Sequence, residues 1–175
     1  MQEKIIRNLA TGQEIRFRSG DEDRLLMEMA FNGVGDPPPL HFHPHQNERF
    51  TVLSGHLVVR ISGYTAYYRA GDSIDIPANT VHAMWNGHAG RTVLTWEVFP
   101  AKRSAAFFQE IFEVTNDHHQ RNSRGLGLVQ KIVLANKYAP EFRLEKPPFW
   151  LIRLLYLLIW PLTFVVVRWR GGGNA

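Results

Sequence analysis

Gly35-Asp36-Pro37-Pro38-Pro39-Leu40-His41-Phe42-His43-Pro44-His45-Gln46-Asn47-Glu48-Arg49-Phe50-Thr51-Val52-Leu53-Ser54-Gly55 sets three histidines and a glutamate between two glycines. On an extended strand, residues two apart share a face, so His41 and His43 aim two imidazoles at one point. Glu48 lies beyond Pro44 and can return across a turn to add a carboxylate oxygen. A His-x-His pair alone is a modest signal, because surface strands carry such pairs by chance. With Glu48 and a later histidine on a separate strand, the set becomes three imidazoles and one carboxylate. That donor set suits Fe, Mn, Ni, Co, Cu or Zn, and Mg or Ca much less.

A second stretch of the same character follows: Gly71-Asp72-Ser73-Ile74-Asp75-Ile76-Pro77-Ala78-Asn79-Thr80-Val81-His82, with Asn86 four residues on. Around both, up to about residue 100, short extended runs alternate with Gly, Pro and Asn. They are Leu25–Phe31, Arg49–Leu53, Leu57–Ile61, Ser73–Ile76 and Thr92–Phe99. Such runs with turn signals between them predict an antiparallel barrel or sandwich. After Pro100 the period changes. Phe107, Phe108, Ile111 and Phe112 recur at helical spacing behind Ser104, an N-cap candidate, and Leu128, Val129, Ile132 and Val133 repeat the pattern after Gly127. The expected organisation is a β domain over 1–100 and a helical extension over 101–175.

The chain has 175 residues, 45% of them apolar, which suffices for one core and is marginal for two. It has eight His and no Cys. Disulfides, thiolate metal sites, iron–sulfur clusters and a Cys nucleophile are therefore excluded, and a metal must sit on His, Asp or Glu. The net charge of +4 is unevenly spread: residues 1–100 carry 9 Lys/Arg against 11 Asp/Glu, and residues 101–175 carry 11 against 5. The basic excess belongs to the C-terminal part and forms no run, so no nucleic-acid partner is expected. The start carries no long apolar stretch, and the expected location is cytoplasmic.

The two stretches together closely resemble the motifs of the cupin superfamily. The first motif is Gly, five residues, His-x-His, three or four residues, Glu, six residues, Gly; Gly35, His41, His43, Glu48 and Gly55 fill it. The second is Gly, five residues, Pro-x-Gly, two residues, His, three residues, Asn; Gly71, Pro77, His82 and Asn86 fill it. Asn79 stands where the pattern has Gly, and Asn tolerates a left-handed backbone well enough to keep the turn. Fifteen residues separate Gly55 from Gly71, a spacing like that of compact single-domain cupins. The resemblance covers roughly residues 25–100. It implies a mainly β cupin barrel (a double-stranded β-helix or jelly roll) followed by C-terminal α-helices. It also implies His41, His43, Glu48 and His82 as ligands of a divalent transition metal, Fe, Mn, Ni, Cu or Zn.

His45 would share the face of His41 and His43 on an unbroken strand, but Pro44 redirects it, so it is expected behind the ligands or in solvent. Met84, in step with His82, and Phe50, in step with Glu48, are expected to line a pocket, with Trp96, Met27 and Met29 as further candidates. Four protein ligands leave an open position for polarising an oxygen, activating water or oxygen chemistry. One carboxylate leaves a divalent site at about +1, which suits an anionic substrate. No general acid or base is visible outside the ligand set, so catalytic residues stay unassigned. Two readings remain: a metal-dependent, dioxygenase-like enzyme on a small organic molecule (isomerase or hydrolase chemistry also fits), and a non-enzymatic small-ligand binding or sensing module. The remaining histidines, His56, His88, His118 and His119, are expected in exposed loops.

Phe149 to Val167 is nineteen residues with one charge, close to the ~20 that span a bilayer. Pro161 interrupts it, Arg153 sits within it, and cations flank both ends (Lys146, Arg168 and Arg170). The apolar segment 149–169 is thus expected to pack within the chain or in a homodimer, as cupins often form. Peripheral membrane contact and a true span are the other options.

Overall fold

The structure is a computed structural model and describes residues 4–121 and 127–170, with the backbone alone over 161–170. Its centre is β10 (Arg91–Phe99), where Thr92, Leu94, Trp96 and Val98 are buried and the residues between them are more accessible. This period-two burial is what a strand with one face on a core produces. On one side β10 pairs with β3 (Leu25–Asn32), placing Leu94 opposite Met29 and Trp96 opposite Met27. On the other it pairs with β5 (Asn47–Ser54), placing Trp96 opposite Phe50 and Val98 opposite Glu48. Beyond β3 lie β2 (Glu14–Gly20) and β1 (Lys4–Arg7), and beyond β5 lies β8 (Ser73–Ile76).

The second sheet is built on β9 (His82–Asn86), between β4 (His41–Phe42) and β6 (His56–Ile61), with β7 (Tyr64–Arg69) outside β6. Both sheets are antiparallel, and three helices follow them in the chain, the architecture expected from the sequence. Each of the five extended runs lies within a strand. Among the first ten strands, β1, β2, β4, β7 and β9 lie outside those runs. β7 shows why: five of its six residues are exposed, so no alternation betrays it.

Two turns fix the register. Gly55, between β5 and β6, has φ +82, and a Cβ there would stand 2.5 Å from the Arg91 carbonyl oxygen, so both the backbone and the space call for glycine. Asn79 has φ +63, the left-handed conformation anticipated for it, and its N–H donates to the His43 carbonyl (2.8 Å).

The C-terminal elements are α1 (Ser104–Gln120), α2 (Leu128–Lys137), β11 (Arg143–Leu144) and α3 (Phe149–Arg170). β11 adds to the second sheet at the edge of β4, with Leu144 opposite His41. Phe107, Phe108 and Phe112 of α1 and Leu134 of α2 join Ile15, Met29 and Trp96 in one continuous hydrophobic core. The helices therefore cover the barrel rather than trail from it.

Four expectations are corrected here. Ser104 is the first helical residue and caps nothing; Arg103 holds the N-cap position, and the Ser104 hydroxyl accepts from Gln46 Nε2 (2.8 Å). Leu128 and Val129 are exposed, because burial in α2 begins a turn later, at Ile132, which was expected, and Leu134, which was not. His118 and His119 occupy the last turn of α1, not a loop. The backbone of α3 stays helical across Pro161. Among the described residues, no helix is long and apolar enough to cross a membrane.

Candidate metal centre

His41 opens β4 and pairs directly with His82, which opens β9. His43 follows two residues later, and the two-residue period returns it to the same side. Glu48 is the second residue of β5, on the inward face with Phe50 and Val52. Three strands thus deliver the four side chains to one point. The ligand atoms of His41, His43 and His82 lie within 4.8 Å of one another. Glu48 Oε1 is 3.3 Å from His43 Nε2, and Glu48 Oε2 is 3.0 Å from His82 Nε2.

Each imidazole is anchored on its far nitrogen. His41 Nδ1 meets the Pro39 carbonyl (3.0 Å), His43 Nδ1 the Glu141 carbonyl (2.6 Å), and His82 Nδ1 the Thr80 carbonyl (2.9 Å). A carbonyl only accepts, so each Nδ1 carries the hydrogen, and in the neutral ring each Nε2 keeps a lone pair. The carboxylate is held similarly: Trp96 Nε1–H donates to Glu48 Oε1 (3.0 Å). This bond follows from register, because Trp96 faces Phe50 across the β10–β5 ladder and Glu48 is its diagonal neighbour on the same face.

Lone pairs consequently converge on lone pairs. Among the described residues, buried His43 Nε2 has no hydrogen-bond partner and buried Glu48 Oε2 has only His82 Nε2 beside it, an arrangement that burial strongly disfavours unless something positive sits among them. Burial, then the neighbouring His82 and His43, push His41 down to about 3, so its ring is neutral at neutral pH. Burial pulls the Glu48 carboxyl upward, but the charges of His43 and His82 outweigh it and hold Glu48 below its ordinary value. His82 is pulled down by burial and raised more by Glu48, ending above its ordinary value. A carboxylate that draws positive charge toward neighbouring imidazoles also draws a cation. The donor set of three neutral-capable nitrogens and one carboxylate fits a divalent transition metal.

The cluster opens into a cavity of about 610 Å3. Met29, Met84 and Trp96 line it. Met27 and Phe50 do not: both are fully buried, and the Phe50 ring packs on Trp96 at 5.4 Å, filling the barrel rather than facing the cavity. His45 is exposed in the turn between β4 and β5 and makes no hydrogen bond to the cluster. His56 and His88 pack ring against ring at the far turn, 4.8 Å apart.

Sequence reasoning missed the other wall. Phe107, Phe108, Ile111 and Phe112 of α1, Leu134 of α2 and Phe142 before β11 line the same cavity. The Phe142 ring stacks on His41 at 4.8 Å. The helical spacing of the α1 phenylalanines announced a buried face but not what that face would cover. Glu141 was also unmarked. It is buried, receives His43 through its backbone, and pairs its carboxylate with Arg103 (2.9 Å).

Comparison with known proteins agrees with this geometry. Residues 27–97 match the family described as Cupin domain. The barrel of this chain is a small cupin-superfamily domain. An RmlC-like cupin from Shewanella frigidimarina NCIMB 400 superposes with a TM-score of 0.52 at 18% identity, covering 59% of this chain and 89% of that one. KdgF from Halomonas sp. gives 0.49 at 17% identity, covering 54% and 84%. At these identities the likeness concerns the fold alone. A curated protein from Aspergillus niger named "Probable oxidoreductase yanE" is 31% identical over 150 residues, 79% of this chain. The chain spans just over half, 56%, of that relative's length.

Proposed function

We propose that this chain is a metal-dependent cupin enzyme that transforms a small organic molecule in the barrel mouth, with oxygenase-type oxidoreductase chemistry. The convergence of three imidazoles and one carboxylate on one point, with His43, Glu48 and His82 buried, carries the reading. His41, His43, Glu48 and His82 hold the ion, Fe, Mn, Ni, Cu or Zn. A metal held there would supply Lewis-acid polarisation of a substrate oxygen and, if redox-active, oxygen chemistry. The rest is done by the chain. The carbonyls of Pro39, Glu141 and Thr80 set the imidazole tautomers, Trp96 fixes the Glu48 carboxylate, and the α1 phenylalanines and Phe142 exclude water. The oxidoreductase name of the Aspergillus niger relative supports the reaction class.

Elemental analysis of wild type beside His41→Ala and His82→Ala, with a dioxygen-uptake screen, tests the proposal. The expected result is near-stoichiometric transition metal in wild type, loss of most of it in both variants, and uptake only with wild type. Retention of metal by both variants overturns the ligand assignment. One observation favours a second reading, a non-enzymatic small-ligand module: beyond the four ligands, the ionisable side chains lining the cavity are Lys131 and Lys146, with no further carboxylate or imidazole to move a proton. Tight ligand binding with no turnover would decide for it.

We also propose that α3 mediates a homodimer. Trp150, Leu154, Leu157 and Leu158 are exposed at helical spacing, the stripe that helix–helix packing buries. Peripheral membrane contact through 149–169 is the competing outcome.

A further inference from the structure

The same two lysines bear on what enters the cavity. Its walls are mostly aromatic and aliphatic, from Phe31 and Met29 of β3 across to Phe108 and Phe112 of α1. Its single acidic side chain, Glu48, lies buried in the ligand cluster. Lys131 on α2 and Lys146 just after β11 line the cavity while remaining exposed, which places them at its rim. Neither is engaged by any carboxylate of the described residues: Glu110 takes Lys137, and Glu141 takes Arg103. Lys146 lies two residues beyond the Leu144–His41 pair, so its place beside the cavity is set by the β11–β4 ladder.

We propose that the ligand is an anionic amphiphile, an aryl or acyl body carrying a carboxylate or similar acid group that Lys131 and Lys146 bind at the rim. This rests on the cavity assigned above as the substrate site, but not on the metal. An apolar cavity of this size takes up a drug-sized body by burial and leaves orientation to a few polar groups. Two ammonium groups at the rim, paired with no carboxylate of the described residues, orient a molecule with its acid group at the rim and its apolar body inside. A neutral sugar would leave both lysines idle and lay hydroxyl groups against phenylalanine, where they find no partner.

The test is titration of the metal-stripped full-length chain with 2-naphthoate and with 2-naphthamide, which share a body and differ in charge. Stripping removes any gain from a carboxylate binding a metal ion, so failure here is separable from failure of the metal assignment. Naphthoate is expected to bind at least about tenfold more tightly, with the advantage shrinking as salt is raised. In the double variant Lys131→Gln/Lys146→Gln the preference should vanish while the affinity for naphthamide is unchanged, and the arginine double variant should restore it. Equal affinity for the two compounds in wild type, binding of neither, or a preference that survives the glutamine substitutions overturns the proposal.

Discussion

Among the described residues, Trp96 is the neutral donor that reaches the Glu48 carboxylate, and both side chains are buried. Trp96→Phe keeps most of the ring and removes only that N–H. Glu48 Oε1 then loses its partner, a change that costs about 1–3 kcal/mol for a buried group. The expected outcome is a lower denaturant midpoint for the metal-free chain, with the deficit narrowed when metal is added, because the ion supplies the missing positive neighbour. An equal deficit with and without metal would mean that Trp96 matters only as packing. At this scale much was legible in the sequence. His41 and His43 shared a face by period, Glu48 and His82 followed from the motifs, and Asn79 took the backbone conformation its side chain tolerates. Trp96 as a donor was not, because its partner is decided by strand register, which spacing along one chain does not specify.

Helices α1 and α2 are joined by a small polar knot. The Glu110 carboxylate accepts from the Tyr138 hydroxyl and pairs with Lys137. Burial pulls Glu110 upward, but the bonds from Lys137 and Tyr138 outweigh it and leave its acid form disfavoured relative to the ordinary value of 4.5. A carboxyl depressed on folding stabilises the fold above its unfolded value and loses that contribution as pH falls through the folded value. Glu110→Gln should therefore lower thermal stability near neutrality, with the gap to wild type closing in acid below about pH 4. Parallel stability curves across that range would show that the pair contributes nothing. The elements themselves were only partly readable. Strands with one inward face announced themselves by alternation, whereas β7, exposed on nearly every residue, and the two-residue β4 and β11 carry too little pattern. The buried face of α2 was displaced by about a turn, because Leu128 and Val129 look like core until the barrel surface they fail to meet is known.

Taken whole, the molecule closes one barrel with its own C-terminal segment and leaves one apolar helix outward. A chain ending after Lys146 keeps α1, α2, β11 and every residue lining the cavity and loses α3, so the barrel and cavity should persist while the association changes. Sedimentation is expected to show a dimer for the full chain and a monomer for the shortened one; identical sedimentation would remove α3 as an interface, and liposome flotation of the full chain alone would favour a lipid surface instead. The division into a β domain and a helical extension describes the order of elements along the chain. It does not describe the site, whose walls come from both.

The hydrogen bond from His43 to the Glu141 carbonyl joins positions 98 apart, and the β11–β4 ladder beside it joins positions slightly farther apart still. A growing chain on the ribosome can pair the barrel strands early, since their partners have already emerged. It has no closed cavity and no anchor for His43 until residues 141–146 leave the exit tunnel. For the whole of that interval the side of the cavity that Phe142 and Leu144 cover stays open to water. The protein therefore acquires its binding chamber only after its barrel strands are made, and its exposure to aggregation is greatest just before that moment.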